Sequence, residues 1–449
     1  MGGHYLRKGL AMVVLMATSQ CVFAQADSLD KVNKLSIGMN FLTHGEMCAG
    51  GLPRTGLKDN EKNEDRSNFL LGRFRLNVDY ERPGIQAHAV LQNKAVWGTS
   101  GNTALKLYEG WVKLTARNGL FAQLGRIALS YDDERIIGPN DFAMMALSHD
   151  VLRVGYEGHG HQLHAILGYN QNAENVYTTT YYSDGAQPYK NMQTVWYHYD
   201  VPKFPLGASL LFMNIGQQAG KQDNRDNPVR TEYQQMWGGY VNFHPKYLTL
   251  EGSYYRQTGQ DVNDDMYSKK INAWMASVQA TVNPTEHYGF KLGYDYLSGD
   301  DYVPVIYGGI GMVYHAEENG FNPLFGSKNK FYGMMDYFYE SAYTNGFTPG
   351  LQNASIGVFG NPTDKLKCSV DYHYLAVATD LHDLNRTLGH SFDVQASYQF
   401  TKDISLMAGY TFMVGTETME RLKEGNSSKY ARWGWFSLVI SPSIFTTKW

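Results

Sequence analysis

The chain has 449 residues, with 39 Lys and Arg against 43 Asp and Glu and a formal net charge of −4. That near-balance leaves no basic surplus for a nucleic acid partner. Aromatic residues make up 14% and there are 46 Gly, yet the mean hydropathy is −0.40; many strand formers with a polar average suit a barrel wetted on its inner face.

The N-terminus reads as a signal peptide over residues 1–24. Arg7 and Lys8 form a positive region, Gly9 to Thr18 a short apolar core, and Val22-Phe23-Ala24 a cleavage site before Gln25. Cys21 raises a lipoprotein alternative, against which the bulky polar Gln20 argues. The apolar core is too short to span a bilayer, and no later stretch approaches the roughly 20 apolar residues a membrane helix needs. Only helices and closed barrels satisfy their backbone polar groups in lipid. Residues 25–449 therefore read as one domain, either soluble in the periplasm or a barrel. Cys48 falls in a loop and Cys368 on the apolar face of a strand, and nothing supports a bridge between them.

Along the mature chain, alternating segments follow one another. Leu70, Gly72, Phe74, Leu76, Val78 and Tyr80 share one face, and Arg73, Arg75, Asn77 and Asp79 the other. After the turn Glu81–Gly84, Ile85, Ala87, Ala89 and Leu91 oppose Gln86, His88, Gln92 and Lys94. Tyr108, Gly110, Val112 and Leu114 oppose Glu109, Trp111 and Lys113. Leu248, Leu250, Gly252 and Tyr254 oppose Glu251, with Tyr255 falling on the polar face. Tyr288, Phe290, Leu292, Tyr294 and Tyr296 oppose Lys291 and Asp295. Leu366, Cys368, Val370 and Tyr372 oppose Lys365, Lys367 and Asp371, and Phe392, Val394 and Ala396 oppose Asp393 and Gln395.

Connections alternate too. Short turns at Glu81–Gly84, Ala116–Gly119, Glu157–Gly160, Val201–Pro205, His244–Lys246, Asn283–Glu286, Asn361–Asp364 and Thr401–Asp403 are separated by long polar segments. Short periplasmic turns and long extracellular loops mark an outer-membrane barrel. A periplasmic sandwich has no reason for this asymmetry. The expected fold is all-β, an up-and-down antiparallel transmembrane barrel of about 18 strands.

Residues 299–350 are assigned to one long extracellular or lumen-folded segment, because a strand over Lys330 to Tyr339 would break the up-down phase. Pro442 cannot donate to a ladder, so the final strand ends near Ser441 or carries a bulge there.

The inner-face candidates carry mixed charge. Arg73, Arg75, Lys94, Lys113, Arg126, Arg135, Lys291 and Lys367 stand against Asp79, Glu109, Glu251, Asp295 and Asp371. Rings of Arg and Lys tune anion pores. The bland alternative pairs Arg73 and Arg75 across strands with Asp79 or Glu109, and is the preferred one. Arg126 and Arg135 flank a loop within reach of a constriction. Trp111 and Tyr255, aromatic on the polar face, are the candidates for stacking a solute. The acidic run Asp261 to Asp265 lacks EF-hand spacing and reads as a solvated loop. No G-x-S-x-G elbow and no H-E-x-x-H is present, so neither an enzyme nor a cofactor is expected.

At Leu124-Gly125-Arg126-Ile127-Ala128-Leu129-Ser130-Tyr131, then Arg135 to Gly138 and Ser148-His149-Asp150, the chain resembles the alginate-export porin family. Further matches are Glu251 to Gly259, Ser298-Gly299-Asp300, and Phe321 to Phe325 with Gly333 and Asp336. The resemblance implies an eighteen-stranded barrel with an Arg-lined polar conduit. The family's exporters carry an acidic polysaccharide through a strongly basic lumen. The mixed signs here point instead to a general or anion-preferring relative.

The expected function is passive passage of polar, anionic or saccharide solutes across a Gram-negative outer membrane. The alternative is a receptor or adhesin with a plugged lumen. Expected partners are outer-membrane lipid, a small polar solute or oligosaccharide, and the barrel-assembly machinery, for a monomer.

Overall fold

The computed structural model describes residues 32–50, 66–98, 105–142, 146–172, 180–181, 187–220, 228–261, 269–300, 304–307, 310–313, 317–338, 348–381, 384–423, 427–428 and 430–449. The expected signal peptide over 1–24 lies outside them, as do residues 262–265 of the acidic run.

Among the described residues, seventeen uninterrupted strands of the barrel wall run in chain order. They are β1 Lys34–Ala49, β2 Arg66–Arg82, β3 Ile85–Val96, β4 Lys106–Thr115, β5 Leu120–Ile127, β6 His149–Gly158, β7 His161–Tyr169, β8 Asn191–Asp200 and β9 Leu206–Ala219. There follow β10 Arg230–Phe243, β11 Leu248–Asp261, β12 Lys269–Val282, β13 Tyr288–Leu297, β14 Leu351–Thr363, β15 Leu366–Ala376, β16 Thr387–Thr401 and β17 Ile404–Gly415. A short helix, Glu417–Lys423, precedes β18, which has two parts, Ala431–Ile440 and Ser443–Lys448.

Each wall strand pairs antiparallel with its neighbour, and both parts of β18 pair with β1. The sheet thus closes into an 18-stranded barrel with no free edge. Pro442 is accommodated by a bulge: the register shifts between Ile37 and Gly38, and Met39 N donates to Pro442 O at 3.2 Å. Connections alternate short and long at the two ends throughout, in the phase the sequence indicates. Phe331 to Phe338 carries no strand, so the phase is kept across the long segment.

Alternation sorts the side chains. Leu124, Leu210, Val278, Tyr288, Phe290, Leu292 and Val394 point outward and are exposed. Water does not wet such a continuous apolar belt at low cost, whereas lipid does. Three strand positions depart from the sequence reading. Cys48 lies on β1 rather than in a loop, facing inward, while Cys368 faces outward, and no disulfide joins them. Tyr108 turns inward, because a bulge opposite Val90 and Leu91 breaks the alternation of β4 and leaves Leu107 outside. Arg126 shares the outward face of Leu120 and Leu124.

The hydrophobic core lies inside the barrel. Inward-facing Ile166, Met192, Trp196, Leu211, Met213, Met236, Ile271 and Met275 pack with Leu129, Tyr131, Ile136 and Ile137 from one connection and Phe321, Phe325, Tyr332 and Phe338 from another. These apolar inner-wall residues are therefore not water-lined; two inward-folded connections cover them.

Candidate functional site

The two connections are the 128–148 loop after β5 and residues 317–338 of the long segment. The first leaves β5 beside Gly125, which has φ +135°. A Cβ there would come within 2.1 Å of Gly110 O, so the Gly-Arg pair needs its glycine for backbone approach to β4. The loop then uses Asp132, Glu134 and Asn140 at positive φ (52°, 68° and 49°); Asp and Asn tolerate the left-handed region better than most residue types, whereas Glu134 does not share that preference. The loops join where Gly138 N donates to Phe325 O at 2.9 Å and Phe325 N to Ile136 O at 3.1 Å. Ser327 N adds a bond to Glu134 O at 2.9 Å.

Three carboxylate contacts fasten the first loop to the wall. At its start, Asp132 accepts from Ser209 Oγ at 2.5 Å, Trp196 Nε1 at 3.1 Å and Tyr255 OH at 3.4 Å. These donors are all neutral, and burial raises the Asp132 carboxyl above its ordinary range. In the middle, the buried Arg135 guanidinium meets Asp295 at 3.0 Å and Asp133 at 3.1 Å, donates to Tyr332 OH at 3.3 Å and lies 4.0 Å over the Phe331 ring. Burial alone would depress Arg135; Asp295, Tyr332 and Asp133 more than offset it and keep the guanidinium charged. At its far end, Asp141 bridges Arg73 at 2.8 Å and Arg75 at 2.7 Å. Burial would raise Asp141, but the two guanidiniums hold it below the usual carboxylate range. Next to it, Phe142 packs edge-on against Trp435 at 4.9 Å and His44 at 5.7 Å. The loop therefore spans the lumen from β9 and β11 to β1, β2 and β18.

The second loop is held by Asn353 Nδ2, which donates both to Asp295 (2.8 Å) and to Phe331 O (3.2 Å), and by Asp393, which accepts from Met334 N at 2.9 Å. Farther up the same segment, Glu317–Glu318 runs parallel to Lys270 and Ile271 at the rim of β12. Glu318 accepts from Thr348 Oγ1 at 2.9 Å, and burial, with Asp300 beside it, pushes its carboxyl up to about 7.

The inner-face candidates fall into four situations. Arg73 and Arg75 do face inward, but their partner is Asp141 on the loop rather than Asp79 or Glu109, a pairing that strand spacing cannot reveal; Arg75 also lies 4.0 Å over Tyr108. Asp79 and Glu109 instead flank His88, at 2.6 and 3.8 Å, and Glu109 accepts from Trp111 Nε1 at 3.3 Å. Lys94 stands opposite Arg73 in register and is exposed. Lys113 pairs with Glu157 at 3.2 Å, and Lys291 with Asp371 at 3.3 Å. Two placements correct the sequence reading. Arg126 faces outward and forks onto Asp150, with Nε–Oδ1 and Nη2–Oδ2 both 2.7 Å, so it lies at the outer rim and lines no constriction. Tyr255 is 1% exposed beneath the loop and offers no face for stacking a solute. Sequence reasoning missed Asp132, Asp141, Tyr332 and Asn353. For Asp132 and Asp141 the only signal is turn chemistry, in Asp132-Asp133 and Pro139-Asn140-Asp141; Tyr332 and Asn353 carry none.

Beneath the two loops lies a cavity of about 830 Å³. Its wall residues, such as Glu251, Thr281, Lys367, Ser397 and Met407, sit within a few residues of the short turns. Arg135, Lys330 and Phe331 close it on the long-loop side.

No known family model matches the chain, and no curated protein matches it in sequence. Solved structures do match. OccK5 (OpdH) of Pseudomonas aeruginosa is 12% identical with a TM-score of 0.57, over 91% of this chain and 99% of that one. OccAB1 of Acinetobacter baumannii is 12% identical with a TM-score of 0.58, over 91% and 97%. A BenF-like porin of Pseudomonas fluorescens is 10% identical with a TM-score of 0.57, over 91% and 99%. The chain has an outer-membrane porin fold. In a porin barrel, connections folded into the lumen set the cross-section open to solutes, which makes the 128–148 and 317–338 loops the site to consider.

Proposed function

We propose that the protein is a passive channel for polar solutes in a Gram-negative outer membrane, reached by signal-peptide cleavage after residue 24 and insertion by the barrel-assembly machinery. One observation carries this reading: a closed barrel with an apolar outer belt encloses a polar cavity of about 830 Å³ beneath two inward loops. The names of the matched porins support it by fold. In this reading the channel acts as a monomer, without covalent chemistry or cofactor. Solutes pass the loop pair and then the cavity, and Lys94, Lys113, Lys291 and Lys367 with Trp111, Glu109 and Glu251 line the way. Arg73, Arg75, Arg135, Asp79, Asp295 and Asp371 act through the ion pairs that set the loops and the wall charge. The finer affiliation with alginate-export porins rests on the ordered motifs from Gly125-Arg126 to Asp336 alone.

The test is conductance of the refolded protein in a planar bilayer, with heat-modifiable gel mobility as proof of folding. Discrete openings support the channel. A silent membrane from folded protein favours a second reading, a ligand-binding barrel with a plugged lumen, motivated by the full burial of Phe321, Tyr332 and Phe338 inside the wall.

A further inference from the structure

The cavity on the short-turn side has a wall chemistry of its own. Ser253, Gln279, Thr281, Ser369, Gln395 and Ser397 project into it from β11, β12, β15 and β16. All carry neutral hydroxyl or amide groups that both donate and accept. Among the described residues, none of the six side chains has a hydrogen-bonding protein partner. Ser253 is 8% exposed, and its Oγ is buried without one. A buried polar atom left without a partner carries a desolvation cost that a bound hydroxyl relieves.

Charge at the cavity is largely cancelled. Arg135 is held by Asp295 and Asp133, Lys291 by Asp371, and Lys330 by Glu134 at 3.1 Å. Asp132 and Glu251 add two carboxylates whose contacts are to neutral donors, with Tyr240 OH donating to Glu251. Against them stands Lys367, exposed and, among the described residues, without an ion-pair partner. This balance gives an anion no net attraction. Phe359 adds a half-buried ring. Its Cζ lies against Gly289, where a Cβ would come within 2.2 Å, so the ring rests on the wall of β13.

We propose that this cavity is a binding subsite for uncharged, hydroxyl-rich solutes of disaccharide size. Its volume falls in the range of about 300–1,000 Å³ typical of small-molecule pockets. The proposal deepens the channel reading and rests on it for access from the lumen. Convergent two-way hydrogen-bonding groups with no surplus of positive charge suit a polyol, each hydroxyl of which both donates and accepts.

The test is calorimetric titration of the folded, detergent-solubilised protein with maltose and with maltobionate, its carboxylate-bearing oxidation product of the same size. Conductance in a planar bilayer is measured in parallel. The expected result is saturable maltose binding, at least tenfold weaker maltobionate binding, and loss of about tenfold or more in maltose affinity in Gln279→Leu/Gln395→Leu. Ser253→Ala, a one-atom change, gives a smaller loss in the same direction and serves if the double variant fails the gel-mobility check. Equal or stronger maltobionate binding, or no saturable maltose binding, overturns the subsite even if the channel conducts. Maltose binding by a barrel that does not conduct leaves the subsite standing and overturns the channel.

Discussion

Asp141 Oδ1 lies 2.8 Å from Arg73 Nη1, so the loop after β5 is latched to the inner wall of β2 on the opposite side of the lumen from Asp132. Arg73 is 2% exposed, and among the described residues its charge pairs with no other carboxylate. Removing one member of such a pair strands the other charge out of water. Asp141→Asn is expected to destabilise the latched loop end by on the order of 2 kcal/mol, less than a fully buried pair because Asp141 is itself nearly half exposed. Faster amide exchange over 140–142 reads this out, and unchanged exchange refutes it. The pH dependence follows from Arg73 and Arg75 holding Asp141 below the ordinary range against burial. A depressed carboxyl stabilises fully above its unfolded value and loses that contribution as pH falls through its folded one. Protection of the 140–142 amides, taken relative to the intrinsic rate, therefore falls only in acid below about pH 4, and Asp141→Asn removes that dependence.

The two arginines that flank the loop should behave oppositely. Arg126 faces outward with Asp150, whereas Arg135 sits at the roof of the cavity between Asp133 and Asp295. Arg126→Gln is expected to leave the reversal potential in a salt gradient unchanged. Arg135→Gln leaves two buried carboxylates uncompensated, lowers thermal stability, and shifts selectivity towards cations. A matching shift in Arg126→Gln would place its side chain inside the lumen after all.

The contrast shows where reading the sequence works. Period-two alternation and the two-ended asymmetry of the connections report backbone geometry directly, so the closed barrel of 18 strands and the inward faces of Arg73, Lys291 and Asp295 were legible. The outward position of Arg126 follows from its shared parity with Leu120 and Leu124, which the motif Gly125-Arg126 does not express. Tyr108 was misplaced because one bulged residue on β4 reverses parity and leaves no mark in the pattern. The pairing of Asp141 with Arg73 and Arg75 spans more than sixty residues through an irregular loop, and no periodicity encodes such a contact.

The rim contact of the long segment should respond to pH near neutrality. Glu318 is raised to about 7 by burial and by Asp300, well above an unfolded Glu. A folded value above the unfolded one means that the folded contact binds the extra proton, so its stability declines as pH rises from about 4.5 through about 7. The protection of the 317–318 amides, the slowing of their exchange relative to the intrinsic rate at the same pH, is expected to be higher at pH 5 than at pH 8. Glu318→Gln, neutral throughout, should show the same protection at both. A pH-independent wild type would contradict the assignment.

Among the described residues, Lys367 is the cavity cation with no carboxylate in ion-pair contact. Arg135, Lys291 and Lys330 each face a carboxylate at 3.0 to 3.3 Å, so their fields are largely cancelled at the distance of a passing ion. An unpaired charge in a confined lumen acts on permeant ions with little compensation. Lys367→Gln should therefore move the reversal potential towards cation preference more than Lys330→Gln does. Raising the salt from about 0.1 M to about 1 M should shrink the difference, because the screening length falls from about 10 to about 3 Å. If Lys330→Gln has the larger effect, the ion pair with Glu134 does not hold in the open channel, and the roof of the cavity, rather than its wall, controls the ions.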